Sequence, residues 1–137
     1  MADLATGYIS SELIDSQGYY FEDQDIETGT AALSGALLDG KRQNHIEIVG
    51  IAKSEVFIAA GLDLKVELQS AVYGGAYATF DTAYNATGTD STGTTITIGT
   101  ELFRVSIPSD ADESIKVKIT SAATNTGTMD VYDVYRA

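Results

Sequence analysis

One histidine and no cysteine occur in this sequence, and those two facts bound most of the side-chain chemistry open to it. A Ser-His-Asp system needs its imidazole held beside a nucleophile and an orienting carboxylate. His45 instead follows Gln43 and Asn44 at the start of an alternating segment, where a structural role is expected, and no serine lies in a G-x-S-x-G elbow. Without cysteine, disulfides, thiolate zinc sites and cysteine nucleophiles are excluded. The glycines form neither a Walker loop nor a dinucleotide fingerprint. Among 20 acidic residues some carboxylate pair always looks suited to glycoside hydrolysis, so that pattern selects nothing. The expectation is a protein that is not an enzyme and needs no cofactor.

The acidic stretch FEDQDIETG (residues 21–29) carries the most suggestive spacing. Asp23, Asp25 and Glu27 alternate as in the first half of a calcium loop, and carboxylate oxygens suit a hard cation. The loop glycine would fall on Thr28 and the bidentate acid on Ser34, so the EF-hand reading fails. A solvated acidic loop is the simpler reading, here and at SDADES (109–114), and no metal site is assigned. Just before these acids come Tyr19, Tyr20 and Phe21. Three consecutive aromatics in an extended chain cannot share one face, so they either cover the protein's own sheet or meet a partner. Tyr19, Tyr20, Phe21, Glu22, Asp23 and Asp25 together form the candidate interface.

Charge narrows the partners. Eight basic residues against 20 acidic ones leave a net charge of -12. A field of that sign repels phosphate backbones and anionic membrane surfaces, so neither nucleic acid nor membrane binding is expected. No apolar run approaches the roughly 20 residues that span a bilayer. The N-terminal residues lack the basic and apolar regions of a secretory signal. The charge is also segregated: residues 1–40 hold eight acids and no Lys or Arg. That segment reads as an acidic arm or loop region.

The elements that must position these residues are strands. From about residue 45 the apolar period is two. HIEIVGI, LDLKVELQS, TTITIGT, FRVSI and SIKVKIT alternate, SEVFIAA is a short apolar run around Phe57, MDVYDVYR is the last strand, and Gly-, Asn-, Asp- and Thr-rich turns separate them. Leu62, Leu64, Val66 and Leu68 fall on one face, as do Phe103, Val105 and Ile107, while Ile96 and Ile98 alternate with threonines. AALSGALLDG (31–40) has Gly35 at its centre and supports at most one or two helical turns. Seven or eight short strands without intervening helices imply an all-β, antiparallel β-sandwich of jelly-roll type. At 137 residues a single domain is expected, with the sandwich core in 45–137 and the acidic segment in 1–40. Strand order is not readable.

Two octets are nearly repeated: LKVELQSA at 64–71 and IKVKITSA at 115–122. Both place apolar residues at the first, third and fifth positions with charged residues between. One physical demand explains this without duplication: each is a core strand, with Leu64, Val66, Leu68, Ile115, Val117 and Ile119 inward and Lys65, Glu67, Lys116 and Lys118 outward.

From LKVELQSAVYGGAYATFDTAY (64–84) to the end, the sequence resembles the small capsid cement (decoration) proteins of tailed bacteriophages, those built as a single jelly roll. The residues that carry the likeness are an alternating strand ending in Gln and a small polar residue, a glycine turn, and an aromatic- and threonine-bearing strand. ESIKVKITSA (113–122) and MDVYDVY (129–135) match later strands, and SSELIDSQ (10–17) looks like the family's opening segment with a shorter spacing. The resemblance implies a homotrimer on the capsid exterior that bridges subunits of the major capsid protein within the virion, with no enzyme activity and no cofactor. The alternative from the residues alone is a carbohydrate- or cell-surface-binding β-sandwich module. Tryptophan is absent, so tyrosines such as Tyr73, Tyr77, Tyr84, Tyr132 and Tyr135 would have to supply its aromatic platform.

Overall fold

Sustained alternation makes strands, because every second side chain can then be buried while the backbone groups pair with a neighbour. A computed structural model describes residues 12–13, 19–27, 32–34, 37–38, 45–72, 75–108 and 114–136. They form strands β1 (Glu12–Leu13), β2 (Tyr19–Asp25), β3 (Ala32–Leu33), β4 (Leu37–Leu38), β5 (His45–Ala52) and β6 (Val56–Ile58). The remainder are β7 (Asp63–Ala71), β8 (Ala78–Thr87), β9 (Thr94–Ile96), β10 (Glu101–Ser106), β11 (Ser114–Ser121) and β12 (Thr128–Arg136). Among the described residues there is no helix.

The pairing is that of an antiparallel jelly roll. One sheet runs β2–β12–β5–β10, with β1 continuing the β2 edge along β12. The other runs β3–β11–β7–β8, with β4 continuing the β3 edge along β11. The chain is therefore one long hairpin with its tip between β7 and β8. Its arms pair β5 with β10, β3 and β4 with β11, and β1 and β2 with β12. This ribbon wraps until β12 meets β5 and β11 meets β7, which closes two sheets over one core. Apart from β7 to β8, each passage between successive main strands crosses from one sheet to the other. A small third sheet, β6 with β9, closes one end.

The two octets lie side by side in the second sheet. Leu64 faces Ser121, Val66 faces Ile119, and Leu68 faces Val117. All four of the central residues Val66, Ile119, Leu68 and Val117 are buried. Full burial of one such side chain is worth about 1.5–3 kcal/mol, so this seam is a main source of stability. Leu62 and Ile98 are exposed, although the alternation groups them with core residues. Both lie just outside the ladders, where the chain is turning and period two no longer assigns a face.

The largest difference from the alternation-based boundary is in the acidic segment. Residues 19–25, 32–33 and 37–38 are strands of both sheets. Tyr20, Phe21 and Ile26 join the central core cluster. Residues 31–40, expected at most to make a helical turn or two, contribute β3 and β4. In β2 charge masks the strand, since Glu22, Asp23 and Asp25 are acidic, while β3 and β4 have two residues each and are too short to show alternation.

Two details hold the sandwich together. Fully buried Asn125 accepts a hydrogen bond from the Ala59 amide at 2.8 Å. It donates to the Asp63 carbonyl at 2.9 Å and to Ser121 Oγ at 3.0 Å, tying the β11–β12 turn to the β6–β7 turn. Within the first sheet, Phe103 pairs with Gly50, and a side chain added at Gly50 would collide with the Phe103 ring. Gly50→Ala is therefore expected to destabilise the fold by about 1–3 kcal/mol. In a double-mutant cycle with Phe103→Leu, monitored by urea denaturation, the combined loss should be smaller than the sum of the single losses.

Candidate functional site

Strand β2 carries the candidate interface, and its geometry follows from two irregularities. Tyr19 pairs with Tyr132, Phe21 with Val131 and Gln24 with Met129, so β2 spends one extra residue in each interval. Each extra residue is a bulge that bends the edge strand and re-aims side chains. The first bulge lets consecutive residues Tyr20 and Phe21 both reach the core, which strict alternation forbids. The second contains Asp23, whose φ of 55° is in the left-handed region. Its amide is turned out of the ladder and donates to Asp130 Oδ1 at 2.6 Å.

Asp130 is the residue that sequence reasoning missed. It is 4% exposed, and its pairing with Ile51 places it on the outer face of the β12–β5 sheet. Lys53 Nζ lies 3.8 Å from its second oxygen. An ionised group buried this far needs hydrogen bonds and a countercharge, and the bulge amide and Lys53 supply them. The available signal was an acid in the middle of MDVYDVY, among residues that otherwise read as core.

The six candidate residues thus divide. Tyr20 and Phe21 are buried in the protein's own core, and Tyr19 is half-buried. Glu22, Asp23 and Asp25 are exposed on the sheet edge. Asp25 Oδ1 accepts the Glu27 amide at 2.7 Å, closing the turn that follows β2. Among the described residues no group of three or more His, Asp and Glu converges as a metal centre. His45 opens β5, while its side chain, Tyr73 and residues 109–113 lie outside the described residues.

Tyr19 packs edge-on against Tyr132, with ring centroids 5.5 Å apart. Tyr132 belongs to an apolar cluster on the outer face of the β12–β5 sheet, built with Val49 and Val134, and Tyr19 and Ile51 pack against it. Farther along that face, Arg104 bonds Glu47 at 3.0 Å and Glu101 at 2.9 Å.

The outer face of the other sheet is chemically different. Lys65, Lys116 and Lys118 project there, being three of the chain's eight basic residues. Glu67 lies among them, 3.8 Å from Lys65, and Lys116 Nζ sits 4.4 Å from the centre of the Tyr77 ring. Tyr77 in turn shares a hydrogen bond with Ser114. A groove of about 400 Å³ opens at one end of this face, lined by Asp63, Lys65, Asn85, Thr120, Ser121 and Ala122. Its lining offers polar donors and acceptors but no aromatic ring on which a sugar could stack.

No protein-family model matches the sequence, and no curated protein is significantly similar to it. Among solved structures, the chain is similar to one described as "Crystal structure of infectious bursal disease virus VP2 subviral particle". The identity is 13% and the TM-score 0.45, and the match covers 91% of this chain but 33% of that one. The chain therefore spans about a third of the length of that protein.

Burial, followed by the carboxylates of Asp130 and Glu22, raises the Tyr19 phenol above its ordinary pKa of 10.0, with Lys53 opposing. Burial raises Tyr84 as well. In the unfolded chain these phenols ionise first, so the stability they contribute is complete below pH 10 and is lost as pH rises through the folded-state values. Tyr19→Phe should remove part of that dependence. Its urea midpoint should fall less than that of the wild type between about pH 9.5 and 11, and equal slopes would contradict this assignment.

Proposed function

We propose that this chain is a structural protein of a virion: a jelly-roll cement protein that binds the outside of a tailed-phage capsid as a homotrimer. In this reading it is a single domain that bridges neighbouring major capsid protein subunits, performs no reaction and needs no cofactor. The observation that carries the proposal is the strand order. The segments from residue 64 onward on which the cement-protein resemblance rests form the β7–β8 hairpin and strands β11 and β12 of an antiparallel jelly roll.

The physical properties suit the role. Packaged DNA strains a capsid from within, and a clamp resists that strain best through many modest contacts made together. A trimer turns one weak contact into three coupled ones through effective concentration. A cyclic trimer also closes on itself instead of polymerising. A net charge of -12 keeps the free protein soluble and away from nucleic acid before it reaches a shell. Of the candidate interface residues, Glu22, Asp23 and Asp25, with part of Tyr19, are the ones open to a partner.

The test is addition of purified protein to undecorated heads. Saturable binding at stoichiometric levels, with heads that survive higher temperature or chelator, is expected. Absence of both binding and stabilisation would overturn the reading.

A further inference from the structure

The same alternation that builds the core sorts charge onto two separate patches. Residues 1–40 contain no Lys or Arg, and their described part presents Glu22, Asp23, Asp25 and Glu27 as an exposed acidic rim along β2 and its turn. On a different side of the molecule, Lys65, Lys116 and Lys118 gather on the outer face of the β11–β7 sheet, where they outnumber the acids Glu67 and Asp63. Within a chain of net charge -12, that concentration is the opposite of the average. The groove bordered by Lys65, Asn85 and Thr120 opens in this same face and offers an ammonium, an amide and a hydroxyl to an acceptor, with the Asp63 carboxylate also in its lining. Leu33, 53% exposed, lies on it beside Lys118, the residue it pairs with, and supplies apolar contact area.

We propose that this lysine face docks the acidic β2 rim of a second copy, giving the head-to-tail contact of the homotrimer. The inference rests on the cement reading for the existence of the trimer and adds which surfaces make it. The two patches are complementary to each other and not to themselves, so the contact is heterologous and each copy offers one of each. The rim lies along an edge of one sheet, and the lysine face looks out from the flat of the other. The patches therefore occupy different sides of the sandwich, so each copy is rotated against the next, and the contact closes into a trimer where that rotation is about 120° without translation; a rotation that does not close would propagate as a filament. Each exposed ion pair is weak alone, but several per contact and three contacts per ring act together. Charge matching also suppresses face-to-face and rim-to-rim pairing, because like charges would then meet.

Charge reversal tests this on the full chain. Lys65→Glu with Lys118→Glu should convert trimer to monomer in sedimentation at concentrations where the wild type is fully assembled. Glu22→Lys with Glu27→Lys should do the same. The four substitutions combined exchange the charges at these four positions and should restore part of the trimer, a rescue that a merely misfolded variant cannot show. The wild-type trimer should also dissociate about tenfold more readily as ionic strength rises from roughly 0.05 to 0.5 M. If both double variants remain trimeric, the ring is held elsewhere and the inference is overturned while the cement reading stands. The inference also fails if the lysine variant keeps its trimer but no longer binds heads, since the face would then meet the capsid. A wild-type monomer at every ionic strength overturns the inference, and failure to bind heads as well removes the reading beneath it.

Discussion

The antiparallel seam between β7 and β11 is the constraint on which the rest of the molecule depends. Leu64, Val66 and Leu68 interleave with Ile115, Val117 and Ile119 at its centre, and all six are buried. Side chains alternate with a period of two, so a slip of one residue in this register would turn Lys116 and Lys118 into the core. Burying unpaired ammonium groups costs several kcal/mol each, which is enough to consume much of the stability of a small domain. The register is therefore strongly specified. Once it is set, the inward faces of β5, β10 and β12 have a surface to close against.

The outward faces are a consequence of the same constraint. Residues excluded from the core by alternation become the working surface, and here they differ between the sheets. The β12–β5 sheet carries an apolar cluster around Tyr132, together with the Arg104 carboxylate pairs. The β11–β7 sheet carries lysines and a polar groove. A β-sandwich needs only its two inner faces for stability, which leaves each outer face free to acquire its own chemistry.

Edges impose the other condition on such a fold, because an unpaired strand edge invites pairing with any similar chain. The two bulges of β2 and the exposed acids along it answer that hazard at one edge. Strand β8, at an edge of the second sheet, also has two irregularities in its register with β7. At β2 the bulges do more than protect. One places two aromatics in the core, the other aims the Asp23 amide at buried Asp130, and the remaining carboxylates are left facing outward. A partner surface can therefore be built on the same residues that blunt the edge.

Much of this was legible in the residues alone. Period-two alternation and the lack of helical spacing determine the fold class, and the alternation of LKVELQS and SIKVKIT names the central core and its outward lysines. These are local properties, decided by neighbours along the chain, so they survive without knowledge of pairing. Strand order, by contrast, depends on which edges meet after the ribbon wraps, and no local pattern encodes that. The same holds for β2, β3 and β4: their acidic or very short stretches read as an arm, and only pairing with β12 and β11 makes them strands. Tyr20 and Phe21 could not both be assigned to the core from sequence, because the bulge that permits it is a mismatch between two strands more than 100 residues apart, as the Asp23–Asp130 separation of 107 shows. Asp130 gained its partners in the same way. The sequence by itself determined what each strand hides and shows; the tertiary structure decided which strands are neighbours, and so which charges share a face.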